Sequence, residues 1–95
     1  MMTDKVRAAI RQLEDELQAD GFIPVTRFFM EHCNNMRSIH VYAVSESGEC
    51  RAAHLYNKQI PRSTERFRSE AAMEKAKEQW LWLAYRGGME VEEVS

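Results

Sequence analysis

The apolar residues near the start of the chain recur with a helical period. Between residues 3 and 19 they fall at spacings of three and four, on one stripe made of Val6, Ala9, Ile10, Leu13 and Leu17. Thr3 is suited to cap the start of this helix. Gly21 is suited to end it, because glycine adopts left-handed backbone readily. The pattern predicts a first helix over 3–19.

The next segment, residues 22–32, allows two interpretations. Its β-branched and aromatic residues favour a strand, in which Pro24 marks the start or an edge. The alternative is a helical stripe formed by Val25, Phe28, Phe29, His32 and Cys33. We favour the strand.

Alternating residues predict a β-hairpin from strands 37–44 and 49–56, joined by Ser45–Gly48. If Val44 pairs with Glu49, then three cross-strand pairs, among them Val41 with Ala52, share a small apolar face that packs on the helices.

In this register Ile39 faces His54 and Ala43 faces Cys50 on the packed face. The other face of the hairpin is mixed and open, and it carries His40, Tyr42 and Arg51.

A second, longer helix is predicted from Ser63 or Thr64 to about Tyr85, ended by Gly87 and Gly88. Its core stripe consists of Met73, Ala76, Trp80, Leu83 and Ala84. Residues 89–95 then form either a short edge strand or a frayed acidic tail.

These elements predict a single α+β domain over residues 1–95. The element order is α-β-β-β-α, a two-layer sandwich with two helices on one face of a small antiparallel meander sheet. A chain of 95 residues has no room for a second core.

The end of the second helix carries more apolar surface than one face can bury. Trp82 and Tyr85 form a second stripe, with Leu81 to one side. One interpretation is that the tail or the first helix covers them. We favour the other, in which they stay exposed until a partner protein covers them, because aromatic residues are enriched in interface hot spots. Tyr42, Arg62 and Arg66 are secondary interface candidates.

Composition and charge limit the classes of function that we expect for the protein. The net charge is −2, which argues against a protein that coats nucleic acid. Basic side chains nevertheless exceed acidic ones by three within residues 37–68. The N-terminus has no apolar signal region, there are two cysteines, and there is no membrane-length apolar run. We therefore expect a cytoplasmic protein with reduced thiols and no membrane partner.

The residues that commonly carry catalysis or metals do not form a motif here. They are His32, Cys33, His40, Cys50 and His54. Zinc needs four converging ligands, but Cys50 and His54, which are four residues apart on a predicted strand, would lie about 13 Å apart. A cysteine enzyme needs a base beside its thiol. A cysteine or histidine enzyme and a metal site are therefore the least favoured readings, and we expect no catalytic residue, metal or cofactor.

The predicted order α-β-β-β-α is similar to that of the double-stranded-RNA-binding domain. This likeness supports an alternative function, nucleic-acid binding through a basic surface made of Arg37, His40, Tyr42, Arg51, Arg66 and Arg68. In that family a lysine cluster opens the second helix. The corresponding stretch here is residues 69–72, in which Glu70 takes the place of a lysine, and the hairpin loop lacks the Gly-Pro-x-His element.

The sequence therefore predicts a non-enzymatic protein-binding module. We expect a homodimer, a small regulatory or inhibitor protein of the bacterial or phage type, or both, acting by stoichiometric docking. Nucleic acid is a secondary candidate partner.

Overall fold

The structure of the protein is a computed structural model that describes residues 2–31, 37–56 and 63–94. It contains two helices and five strands in the order α-β-β-β-β-α-β. In chain order they are α1 (Asp4–Ala19), β1 (Phe22–Glu31), β2 (Arg37–Ser45), β3 (Cys50–Tyr56), β4 (Ser63–Phe67), α2 (Glu70–Arg86) and β5 (Glu90–Glu93).

The five strands form one antiparallel sheet in the order β4-β3-β2-β1-β5. The predicted α+β class with an antiparallel meander is confirmed. The strand interpretation of residues 22–31 is also confirmed, and the acidic tail forms an edge strand that pairs with the end of β1.

The segment that opens the predicted second helix is a strand instead. Ser63–Phe67 pairs with β3 as β4, and α2 begins only at Glu70. The helix is capped by Ser69, whose hydroxyl accepts a hydrogen bond from the backbone N–H of Ala72. The extra strand forms one edge of the sheet, and β5 forms the other.

The helices contact opposite faces of the sheet, which differs from the predicted placement on one face. Leu13 and Leu17 of α1 pack against Val41, whereas Met73 of α2 packs against Tyr42. Neighbouring residues of a strand point to opposite faces, so β2 contributes to two separate cores, one on each face of the sheet, where the chain length predicted a single core. The run from Ser38 to Ala43 is buried throughout, as expected for a strand covered on both sides.

The hairpin register differs by one residue from the predicted one. Val44 pairs with Cys50, and Glu49 belongs to the turn, where the N–H of Ser45 donates to its carbonyl. Gly48 has a φ of +88°, the left-handed conformation that closes a three-residue loop. A one-residue slip moves every side chain of β3 to the other face. His54 therefore lies opposite His40.

Candidate functional site

The outward side of α2 exposes a cluster of large apolar side chains, which we call the α2 outer face: Trp82, Leu83 and Tyr85. Their exposed fractions are 58%, 58% and 65%. Ala84 is buried against the sheet, and Trp82 is two positions away, about 200° around the helix. The guanidinium of Arg86 lies over the Trp82 ring, 5.0 Å from its centroid. Within the described part of the chain, neither the tail nor α1 buries this face.

Two leucines exchange the roles that the sequence predicts for them. Leu81, predicted to belong to the contact surface, is half-buried and packs on the core beneath α2. Leu83, predicted to belong to the core stripe, is exposed. The buried stripe runs through Met73, Trp80 and Ala84 and extends toward Leu81, because the helix leans on β5 as well as on the centre of the sheet.

The secondary interface candidates do not join this surface. Tyr42 is 1% exposed and lies under α2, so it is unavailable to a partner. Arg66 is exposed on β4. Arg62 lies outside the described residues.

The nucleic-acid candidates divide between three places. His40 and Tyr42 are buried in the interior. Arg37 is exposed at the start of β2, where it forms a 2.7 Å ion pair with Glu31. Arg51, Arg66 and Arg68 line one surface depression beside the hairpin turn, with a volume of about 450 Å³. The predicted continuous basic sheet face is therefore absent from the described residues, and three arginines remain grouped.

A chain of hydrogen bonds runs through the core beneath α2 to the surface, and we call it the buried polar chain: Ser38, His40 and His54, which are buried, and Glu65, which is 46% exposed at its outer end. Ser38 Oγ lies 2.8 Å from His40 Nε2, and His40 Nδ1 lies 2.6 Å from His54 Nδ1. His54 Nε2 then lies 2.6 Å from a carboxylate oxygen of Glu65 on β4. Both imidazoles are almost fully buried.

With both imidazoles neutral, the contacts fix the direction in which these groups donate. The Glu65 carboxylate accepts, so His54 carries its proton on Nε2 and accepts at Nδ1. His40 must then donate from Nδ1, which leaves its Nε2 to accept from the Ser38 hydroxyl. Every member is satisfied while both imidazoles are neutral, as a buried polar network requires.

Burial keeps the two histidines neutral. Loss of solvation, followed by the nearby His54, lowers the pKa of His40 from 6.5 to about 3. Loss of solvation also lowers the pKa of His54, against the opposing influence of the Glu65 carboxylate. Trp80 of α2 closes this site, with its ring 5.0 Å from that of His40 and 6.1 Å from that of His54.

The buried polar chain contains a hydroxyl beside a base, which is the arrangement of an activated serine nucleophile. Ser38 is only 8% exposed, however, so its hydroxyl serves as a hydrogen-bond donor inside the core. The sequence did not predict this network, because in the predicted register His54 faces Ile39.

The thiols give no catalytic arrangement among the described residues. Cys50 is 2% exposed, and burial raises the pKa of its thiol, which disfavours the reactive thiolate. It fills space in the core beneath α2, beside Ala52 and Tyr42, and not opposite Ala43 as the predicted register had it. His32 and Cys33 lie outside the described residues.

Within residues 2–31, 37–56 and 63–94, no three His, Cys, Asp or Glu side chains are grouped so that they could hold a metal ion. Over the same residues, neither helix has the length and apolar character that a membrane span requires. In comparisons with protein-family models, characterised proteins and solved structures, nothing matches this chain.

Proposed function

We propose that the protein is a non-enzymatic binding module that docks onto another polypeptide through the α2 outer face. The observation that carries this proposal is the exposure of Trp82 at 58% beside Tyr85 at 65%, while Trp80 packs inward on the same helix. Large rigid aromatic side chains are the residues that most often dominate binding energy at protein interfaces.

The number and the exposed area of these side chains limit the strength of the contact. Full burial of one such side chain is worth about 1.5–3 kcal/mol. Association itself costs several kcal/mol, and a micromolar contact requires about 8 kcal/mol net, so the three side chains contribute to such a contact but do not supply it alone. Because they are 58% and 65% exposed, the two aromatic residues supply only about 200–300 Å² of further buried surface. This is less than the roughly 800 Å² per partner of a standard interface, so polar neighbours on α2 must also take part.

The charge pattern of α2 favours a second copy of this chain as the occupant. Glu70, Glu74 and Glu78 outnumber Lys75 and Lys77 in the first part of α2, where Lys77 pairs with Glu74, and the last turn carries Arg86. Two α2 helices packed antiparallel around Trp82 bring Glu78 of each, one turn before Trp82, toward the Arg86 end of the other. A two-fold contact of this kind is the commonest form of homo-oligomer.

A module that works in this way acts stoichiometrically, as a dimer or as a regulator or inhibitor of a larger protein. Nucleic-acid binding through a continuous sheet face is less favoured, because His40 and Tyr42 are occupied inside the core.

Size-exclusion chromatography with light scattering tests the proposal on the wild type and on Trp82→Ala/Tyr85→Ala. At about 100 µM, far above a micromolar dissociation constant, we expect a dimer for the wild type and a monomer for the variant. Ile23→Ala/Val25→Ala is the matched control, because Ile23 and Val25 are exposed apolar residues on β1. The control should remain dimeric.

Two outcomes count against the proposed contact. A wild-type monomer at this concentration overturns a second copy as the occupant. A dimer that persists in Trp82→Ala/Tyr85→Ala and dissociates in the β1 control places the contact on β1 instead of α2.

A further inference from the structure

The depression lined by Arg51, Arg66 and Arg68 lies on a part of the sheet that no helix covers. Odd-numbered residues of β3 face α1, as Ala53 does in the core beneath that helix. Arg66 is paired directly with Arg51 across β3 and β4, so it points to the same face, and Arg68 follows two positions later. Because α1 packs mainly on β1 and β2, this end of the sheet stays open.

The two paired arginines are an energetically unfavourable choice for a sheet. Like charges at directly opposed positions of an antiparallel pair destabilise it by a few tenths of a kcal/mol to about 1 kcal/mol. A basic side chain at either position alone would avoid this repulsion. The arrangement becomes favourable when an anion lies between the two guanidinium groups.

The described residues neutralise this charge only in part. Arg51 lies 3.1 Å from the exposed carboxylate of Asp20 and stacks on the ring of Phe22. Arg66 and Arg68 are exposed, and neither has an ion-pair partner within residues 2–31, 37–56 and 63–94. Among the residues that line the depression, Glu49 supplies the acidic side chain that opposes three arginines.

We propose that this depression binds a small phosphate-bearing ligand. Guanidinium groups present parallel N–H donors that match phosphate oxygens, and their charge does not titrate at physiological pH. A volume of about 450 Å³ admits a phosphate or pyrophosphate group with a compact substituent. The site lies on the other side of the sheet from α2, so it is a function additional to the proposed docking.

A single strand of nucleic acid fits this surface less well. Such strands bind by stacking bases on exposed aromatic side chains as well as by charge. Of the two aromatic residues that line the depression, Phe22 is 4% exposed and is covered by Arg51, and Phe67 is half-buried and packs on the core beneath α2. The chemistry is therefore that of phosphate recognition without base stacking.

Isothermal titration calorimetry at low salt, with inorganic phosphate and pyrophosphate as probes, tests the proposal. We expect saturable binding with pyrophosphate the tighter of the two, and an affinity about tenfold lower for each of Arg66→Gln and Arg68→Gln. Arg37→Gln is the matched control, because it also removes one positive charge from a strand but lies outside the depression. It should bind as the wild type does.

A third titration uses a single-stranded oligonucleotide of about a dozen nucleotides. The proposal is overturned if neither phosphate nor pyrophosphate binds, if Arg37→Gln weakens binding as much as Arg66→Gln, or if the oligonucleotide binds far more tightly than pyrophosphate.

Thermal unfolding supplies an independent measurement and shows that the variants fold. Without ligand, Arg66→Gln should unfold at the same temperature as the wild type or higher, because the repulsion across β3 and β4 is relieved. Pyrophosphate should raise the unfolding temperature of the wild type by more than that of Arg66→Gln, as the weaker affinity of the variant requires. Equal shifts in both proteins contradict the assignment of the site.

Discussion

The contact between His40 and His54 places two ionisable rings where an apolar pair would be expected. Both are fully buried, and each ring nitrogen has a partner along the buried polar chain. Satisfied in this way, the pair costs little while it is neutral. If both imidazoles become charged, each Nδ1 carries a proton, and the 2.6 Å Nδ1–Nδ1 contact, which then has two donors and no acceptor, cannot form.

The pair makes the stability of the protein dependent on pH. In the unfolded chain each imidazole binds a proton near pH 6.5, whereas burial lowers the pKa of His40 to about 3 in the folded state. The unfolded state therefore holds more protons between these values. The free energy of unfolding should fall as pH drops below 6.5, by up to about 1.4 kcal/mol per pH unit for each histidine that stays neutral when folded.

Urea titrations from about pH 7.5 to about pH 4.5 measure this slope. The double variant His40→Gln/His54→Gln removes both titrations and should show a flatter dependence, whatever its absolute stability. The Glu65 carboxylate opposes the lowering of the pKa of His54 by burial, because it favours the charged form of that imidazole. Equal slopes in the wild type and the double variant would show that other groups cause the dependence.

At the scale of elements, the sequence predicted the helices and strands that have a periodic apolar pattern. It missed the strand that forms only because a neighbouring strand pairs with it. The helix over Asp4–Ala19, both hairpin strands and the later part of α2 follow from their patterns. Ser63–Phe67 has no alternating apolar residues and is a strand because β3 offers it a partner.

The sequence likewise predicted one part of the candidate site and missed another. The exposure of Trp82 follows from its position opposite Ala84 on the helix, and Tyr85 lies three residues further along, on the same side as Trp82. The pairing of His40 with His54 depends instead on the left-handed conformation of Gly48, which selects one loop length among several that the residues 45–49 permit. A single residue in a turn therefore decides which side chains meet in the core.

The two tryptophans of α2 should respond differently to truncation. Trp80 packs over both imidazoles and the core beneath α2, so Trp80→Ala should lower the free energy of unfolding by about 3 kcal/mol. Trp82 is 58% exposed, so Trp82→Ala should change the stability of the monomer by about 0.5 kcal/mol or less.

Urea denaturation at a protein concentration low enough to keep the chain monomeric separates these effects from dimer formation. Comparable losses for the two variants would mean that Trp82 packs against the chain itself, and this would remove the main support for docking through α2.

At the scale of the whole molecule, the two helices bury different numbers of apolar side chains on the two faces of the sheet. α1 buries Ile10, Leu13 and Leu17 in a purely apolar core. α2 buries only Met73 and Ala84 completely, and it lies over the buried polar chain. Local opening follows the apolar area that an element buries, so α2 should open at a lower cost in free energy than α1.

This asymmetry links the core to the docking surface, because the helix that carries the α2 outer face is also the helix that covers the histidines. Native-state hydrogen exchange on Trp82→Ala/Tyr85→Ala, which is expected to be monomeric, should give lower opening free energies for α2 than for α1 at about pH 7. At about pH 5.5 the difference should widen by roughly 1 kcal/mol, since opening α2 lets the imidazoles take up protons. Equal opening free energies for the two helices at both pH values would instead show that the molecule opens as one unit, and acid would then weaken the whole fold without releasing α2 first.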